Sequence, residues 1–117
     1  MRSSQFKIVL EGTGKQTRDF VYVSDVVEAL VRCMNFNAGF HGPYLIASGQ
    51  ETSLNDLLSK LEGRFGGPNV DYQPAKRGDI PRMSYDISLA KKELRWEPKI
   101  MLEEGLKRTA EWWREVS

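Results

Sequence analysis

A chain of 117 residues, 40% hydrophobic and 28% charged, is long enough for one modest core and too ordinary in composition to be disordered or fibrous. Lysine and arginine total 17 against 16 for aspartate and glutamate, so no broad field draws in nucleic acid or an anionic membrane, and any anion site must be local. No stretch approaches the ~20 apolar residues of a membrane span, and the polar start Met1-Arg2-Ser3-Ser4-Gln5 lacks the apolar centre of a signal peptide, which leaves the cytoplasm as the default.

In chain order, Phe6 to Leu10 reads as a strand that feeds a turn at Gly12 and Gly14, where glycine reaches positive φ without steric cost. Phe20 to Val23 are good strand formers. Asp25 stands as cap to a helix reaching about Asn37, with Val26, Leu30 and Met34 at helical spacing and Val27, Val31 and Cys33 widening the apolar face. Cys33 is the only cysteine and reads as a buried, inert thiol. His41 stands alone in a loop, and one histidine without partners makes a poor zinc site.

Tyr44-Leu45-Ile46-Ala47 is short and apolar, as a buried strand would be. Ser53, with Asp56 three residues on, predicts the cap of a helix whose stripe is Leu54, Leu57, Leu58, Leu61 and Phe65, stopped by Gly66-Gly67-Pro68. Such a stripe is core rather than a cofactor site. Val70 to Gln73 predicts a brief strand, and Lys76 to Arg82 an irregular charged loop. Asp86 caps a short helix with Ile87, Ala90 and Leu94 inward, Trp96 and Pro98 close it, and a last helix turns Leu102, Leu106, Ala110 and Trp113 to one side, with Trp112 widening that face. No internal repeat or linker interrupts the pattern, so residues 1–117 read as a single domain.

The segment Gly12 to Asp25, read as Gly-x-Gly-x-Gln-x-Arg-Asp-Phe-x-Tyr-Val-x-Asp, resembles the start of the substrate-binding region in the NAD-dependent nucleotide-sugar epimerases and dehydratases, the extended short-chain dehydrogenase/reductase family typified by UDP-glucose 4-epimerase. The resemblance continues through Lys76-Arg77-Gly78-Asp79-Ile80-Pro81-Arg82, Asp86-Ile87-Ser88-Leu89-Ala90-Lys91, Leu94-Arg95-Trp96-Glu97-Pro98 and Leu102-Glu103-Glu104-Gly105-Leu106, covering the chain from Phe6 to Trp113. It implies an α/β or α+β fold, a small domain of short strands packed with about four helices: the C-terminal part of such an enzyme, without its Rossmann NAD-binding domain.

The chemistry expected of this piece is anchoring. The resemblance places Arg18 on the diphosphate of a nucleotide sugar, Asp79 on the ribose hydroxyls, and a second basic residue on the diphosphate. Where the family has arginine this chain has Lys76, followed by Arg77, so either Lys76 acts as a point charge or Arg77 takes over with a planar fork. No NAD cradle is legible: Gly12 and Gly14 begin a Gly-x-Gly-x-x-Gly pattern, but position 17 is threonine and the following stretch is strand-like. Tyr72 and Lys76 have the spacing of the family's catalytic Tyr-x-x-x-Lys, yet Pro74 between them is incompatible with a helix interior, and the pair is a decoy.

The expectation is therefore a UDP- or dTDP-sugar-binding part with no catalytic residue, cofactor or metal of its own, and NAD implied only for the complete enzyme. Its partner is the missing N-terminal domain, whose loss exposes an apolar patch that favours self-association. Two rivals remain: a stand-alone, non-catalytic binding module, and an interaction domain that presents Trp112 and Trp113 to a protein partner.

Overall fold

The computed structural model describes residues 7–35, 42–65 and 69–117. Strand β1 (Lys7–Glu11) pairs in parallel with β4 (Asn69–Gln73), in a register that sets Ile8 against Val70 and Leu10 against Tyr72. A second, minimal pair is antiparallel: β2 (Thr17–Arg18) opposite β3 (Thr52–Ser53). Four helices complete the fold, α1 (Val23–Met34), α2 (Leu54–Phe65), α3 (Ser88–Glu93) and α4 (Leu102–Val116). This is the small mixed α/β architecture expected from the sequence. Phe6, residues 36–41 with the expected helix end near Asn37 and His41, and the Gly66–Pro68 stop lie outside the described residues.

The turn between β1 and β2 is built by its own side chains. Gln16 is buried, donates Nε2–H to the Glu11 carbonyl at 2.6 Å and accepts the Gly14 amide on Oε1 at 2.9 Å. Gly14 has φ +82°, and a Cβ there would overlap Asn55 Oδ1. The Asn55 amide meanwhile donates to the Gly14 carbonyl at 2.9 Å, which locks the turn onto the start of α2. At that start the expected cap is present: the Asp56 amide donates to Ser53 Oγ at 3.1 Å, relieving one of the free donors of a first helical turn.

The core gathers around α3. Ile87, Ala90, Leu94 and Trp96 are buried together with Ala29 of α1 and Ala47, and Tyr44 and Ile46 pack against them. The inward set Ile87, Ala90 and Leu94 is the one the spacing predicts. Trp96 is 1% exposed, and its indole N–H donates to the Asp25 carbonyl at 2.9 Å.

Four expectations need correction. Phe20 to Val23 is not a strand: the described residues put no ladder beside it, and α1 begins at Val23 with the Asp25 and Val26 amides donating to the Tyr22 carbonyl. Asp25 makes no side-chain cap either. Its buried carboxylate reaches across to the segment before α4, accepting the Lys99 amide at 3.1 Å and the Ile100 amide at 3.0 Å. Tyr44 to Ala47 is apolar and packed on the core but pairs with no strand among the described residues.

The faces of α1 and α4 are the fourth correction. Helix α1 packs through Asp25 and Ala29, one turn apart, while Val27, Leu30, Val31 and Met34 point outward and Cys33 is exposed rather than buried. On α4 the expected Leu102 and Leu106 are half-buried and Ala110 is buried, with Gly105 beside them, and only Trp112 and Trp113 turn outward, their rings tilted at 48° with centroids 6.2 Å apart. Small residues sit inward because the elements approach closely: a Cβ on Gly105 would stand 3.1 Å from the Tyr22 ring.

Candidate anion-binding site

Arg18 lies in β2 at the edge of an open cavity of about 840 Å³. The cavity floor is apolar, formed by Ile8, Val9 and Leu10 of β1 and by Leu54, Leu57, Leu58 and Leu61 of α2. The leucine stripe of α2 is thus half-buried and lines a cavity, rather than closing a solid core. The charged residues of the lining are Arg18, Lys76, Arg77 and Asp79 together with Glu11 at the end of β1. All four sequence-predicted site residues line this one cavity, although 58 or more positions separate Arg18 from the other three.

Their commitments differ. Arg18 donates from Nη1 to the carbonyls of Thr17 and Ile80, both at 2.7 Å, and from Nη2 to Asp79 Oδ1 at 2.7 Å. Lys76 Nζ stands 3.6 Å from Glu11 Oε2, an exposed pairing that leaves the ammonium mobile. Arg77 has no ion pair or hydrogen bond among the described residues. Of the two basic residues left open by the sequence, Arg77 therefore has the uncommitted fork, and both reach the cavity.

The loop that carries them is strapped to the small sheet. The Thr17 amide donates to the Pro81 carbonyl at 3.0 Å and Thr17 Oγ1 accepts the Met83 amide at 3.2 Å. Arg82 grips Glu51 with two hydrogen bonds, Nε to Oε1 at 3.0 Å and Nη2 to Oε2 at 2.6 Å, while Thr17 Oγ1 donates to the same Oε1 at 2.9 Å. Nearby, Asp19 accepts the amides of Ser48 and Gly49 at 2.7 and 2.8 Å, pinning the turn that leads into β3. None of Gln16, Thr17, Asp19, Glu51 or Arg82 was legible as part of this framework. Apart from Gln16, whose side chain bonds within its own turn, their partners lie tens of residues away, and no local spacing encodes them.

Hydrogen bonds from Arg82 and then Thr17 hold the Glu51 carboxyl below the ordinary glutamate value of 4.5. A carboxylate depressed in the folded state adds its contribution above the unfolded pKa and loses it as pH falls through the folded one. Acidification from pH 6 through the region below 4.5 is accordingly expected to unlatch the loop, read as a sigmoidal shift of the Met83 amide resonance. In Glu51→Gln that acid step should vanish; a Met83 titration identical to wild type would show that the latch is not Glu51.

The Gly12–Gly14 turn is not built as an NAD cradle. After β1 the Gly12–Gly14 turn leads into β2 and not into a helix N-terminus, so the amides that would receive a pyrophosphate are not built here. Tyr72 lies in β4 with its hydroxyl donating to Asn55 Oδ1 at 3.0 Å, and Lys76 follows in irregular chain, so the pair shares no helix face. No helix among the described residues is long and apolar enough to cross a membrane.

Comparison with known proteins agrees with this geometry. The family model for GDP-mannose 4,6 dehydratase matches residues 2–109. A UDP-glucose 4-epimerase of Mycolicibacterium smegmatis is 36% identical over 107 residues, covering 91% of this chain and 34% of the relative. The crystal structure of the Thermotoga maritima UDP-glucose 4-epimerase with UDP-glucose superposes with a TM-score of 0.86 at 37% identity, covering 94% of this chain and 35% of that one. MoeE5 in complex with UDP-glucose and NAD gives 0.89 at 31% identity, covering 94% and 37%. The chain spans about a third of the length of these relatives. With nearly every described element matched at that level, the chain belongs to the NAD-dependent nucleotide-sugar epimerase and dehydratase family and corresponds to the C-terminal part of its members.

Proposed function

We propose that this chain is the nucleotide-sugar-binding part of an NAD-dependent epimerase or dehydratase and is inactive by itself. The observation that carries the reading is the convergence of three basic groups on one largely apolar cavity: Arg18, Lys76 and Arg77 line it with the acids Asp79 and Glu11, and its volume leaves room for a base and sugar beside a diphosphate. Planar guanidinium groups suit an oxyanion because they donate parallel hydrogen bonds. The ligand class is a UDP- or dTDP-sugar. Binding energy gathered on the non-reacting diphosphate would position the sugar against a nicotinamide held elsewhere in the enzyme.

The proposed partner is the N-terminal NAD-binding domain of the same enzyme, and 1–117 forms one binding domain that docks on it. The outward stripe of Val23, Val27, Leu30 and Met34 along α1 supports such a covered face, and the same stripe would favour self-association of the isolated chain. The cytoplasmic setting expected from the sequence belongs to this reading.

Titration calorimetry of the 117-residue chain with UDP and dTDP tests it. Saturable binding is expected in wild type and a loss of roughly 10–100-fold in Arg18→Ala, the equivalent of one charge-assisted hydrogen bond of about 1.5–3 kcal/mol. A folded wild type that binds neither nucleotide would favour the interaction-domain reading, for which exposed Trp112 and Trp113 offer the surface. Hydride transfer by the purified chain would refute inactivity.

A further inference from the structure

We propose that Arg77 supplies the second planar fork of this anion site, one position later in the loop than the resemblance places it, while Lys76 contributes charge alone. The inference rests on the nucleotide-sugar-binding function proposed above and assigns a role within the same site.

A guanidinium donates parallel N–H bonds to a pair of phosphate oxygens, whereas an ammonium acts as a point charge. Arg18 brings one guanidinium to the cavity, but three of its five donors are spent on the Thr17 and Ile80 carbonyls and on Asp79 Oδ1, all at 2.7 Å. A diphosphate therefore finds two N–H groups there, and further directed donors have to come from another residue. Lys76 cannot supply a fork, and its ammonium stands 3.6 Å from Glu11 Oε2, a carboxylate that competes with phosphate for it. Lys76 is also divided between two cavities, since it lines a smaller one of about 380 Å³ beside Lys15 and Arg82. Arg77 lines the larger cavity, with Arg18, and not the smaller one. It makes no hydrogen bond or ion pair among the described residues.

The loop presents this side chain from a fixed backbone. The Asp79 amide donates to the Lys76 carbonyl at 3.1 Å, closing a four-residue turn with Arg77 and Gly78 at its centre, and Gly78 has φ +85°. Positive φ at the third residue of such a turn is the type II signature and calls for glycine there. Just beyond the turn, Asp79 and the Ile80 carbonyl hold Arg18. The backbone of Arg77 is thus ordered before a ligand arrives, and only its side chain has to be fixed on binding. The expected ribose contact of Asp79 is unaffected, since Arg18 engages Oδ1 and leaves Oδ2 to the ligand.

The test is calorimetric titration of the full 117-residue chain with UDP and, in parallel, inorganic pyrophosphate, on wild type, Arg77→Ala, Arg77→Lys, Lys76→Ala and Arg18→Ala. Both loop positions are exposed, and thermal unfolding checks that each variant is folded. Arg77→Ala is expected to weaken both probes ~10-fold, and Arg77→Lys nearly as much, because it keeps the charge and loses the fork. Lys76→Ala should cost about threefold at most, as an exposed point charge does. Four results overturn the inference while leaving an Arg18-dependent site in place: Arg77→Ala binding as wild type does, Arg77→Lys binding as wild type does, Lys76→Ala losing as much as Arg77→Ala, or a loss in Arg77→Ala confined to UDP, which would put Arg77 on the nucleoside. A folded wild type that binds neither probe would refute the binding function itself, and this inference with it.

Discussion

Trp96→Ala should destabilise the chain by about 3–5 kcal/mol, the range for removing a large aromatic from a closed core. Trp96 is the largest fully buried side chain and sits among Ala29, Ala47, Ile87, Ala90 and Leu94. Three of its neighbours are alanines, which have no longer side chain with which to refill the cavity, so the upper half of the range is the expected result. Total stability for a domain of this size is about 5–15 kcal/mol, and a Tm lower by roughly 10–20 °C should follow. Thermal unfolding followed by circular dichroism measures it. Trp96→Phe separates the two contributions: it keeps most of the volume and loses the 2.9 Å bond to the Asp25 carbonyl, at a cost of about 1 kcal/mol. An alanine variant within 1 kcal/mol of wild type would mean that this cluster is not the core.

Asp25→Ala is the second large effect. The carboxylate is 3% exposed and accepts two backbone amides, Lys99 N and Ile100 N, that have no other partner in the described structure. Removing it strands both donors, at about 1–3 kcal/mol each, and frees the segment between Trp96 and α4. Asn is no remedy, because its amide nitrogen would face one of the two N–H groups. Chemical denaturation should show a loss of roughly 2–4 kcal/mol in Asp25→Ala, with Asp25→Asn close behind. Since Trp96 and Asp25 hold the same junction from its two ends, the double variant is expected to cost less than the sum of the singles. Full additivity would argue that the two ties are independent.

Both predictions concern a framework, and its consequence is where the site can stand. Asp25 and Trp96 hold α1 to the chain around α3, while Gln16, Gly14 and Asn55 fix the turn before Arg18 onto α2. Arg18 thus lies on backbone held at both ends, and the loop 76–83 is brought to it by Thr17, Glu51 and Arg82. An anchor gains from such rigidity, because ordering paid in folding is not paid again on binding.

Local chemistry was readable along the chain. The strand at Lys7 to Glu11, the Ser53 cap, the helices α2 and α3 and the inward set Ile87, Ala90 and Leu94 follow from spacing and capping alone. The motifs around Arg18 and Lys76–Asp79 named the family. What the tertiary structure decided was every choice that depends on a distant partner. The carboxylate of Asp25 went to Lys99 and Ile100 in place of its own helix, because two orphan amides across the fold outbid a local cap. The apolar residues of α1 point outward and its alanine inward, since a periodic pattern says that a face is apolar and not which neighbour covers it. Phe20 to Val23 and Tyr44 to Ala47 have strand-forming residues but no ladder partner among the described residues, and a strand exists only with one. For the same reason the pairing of Arg18 with Asp79, across 61 positions, could be met only once the chain had folded.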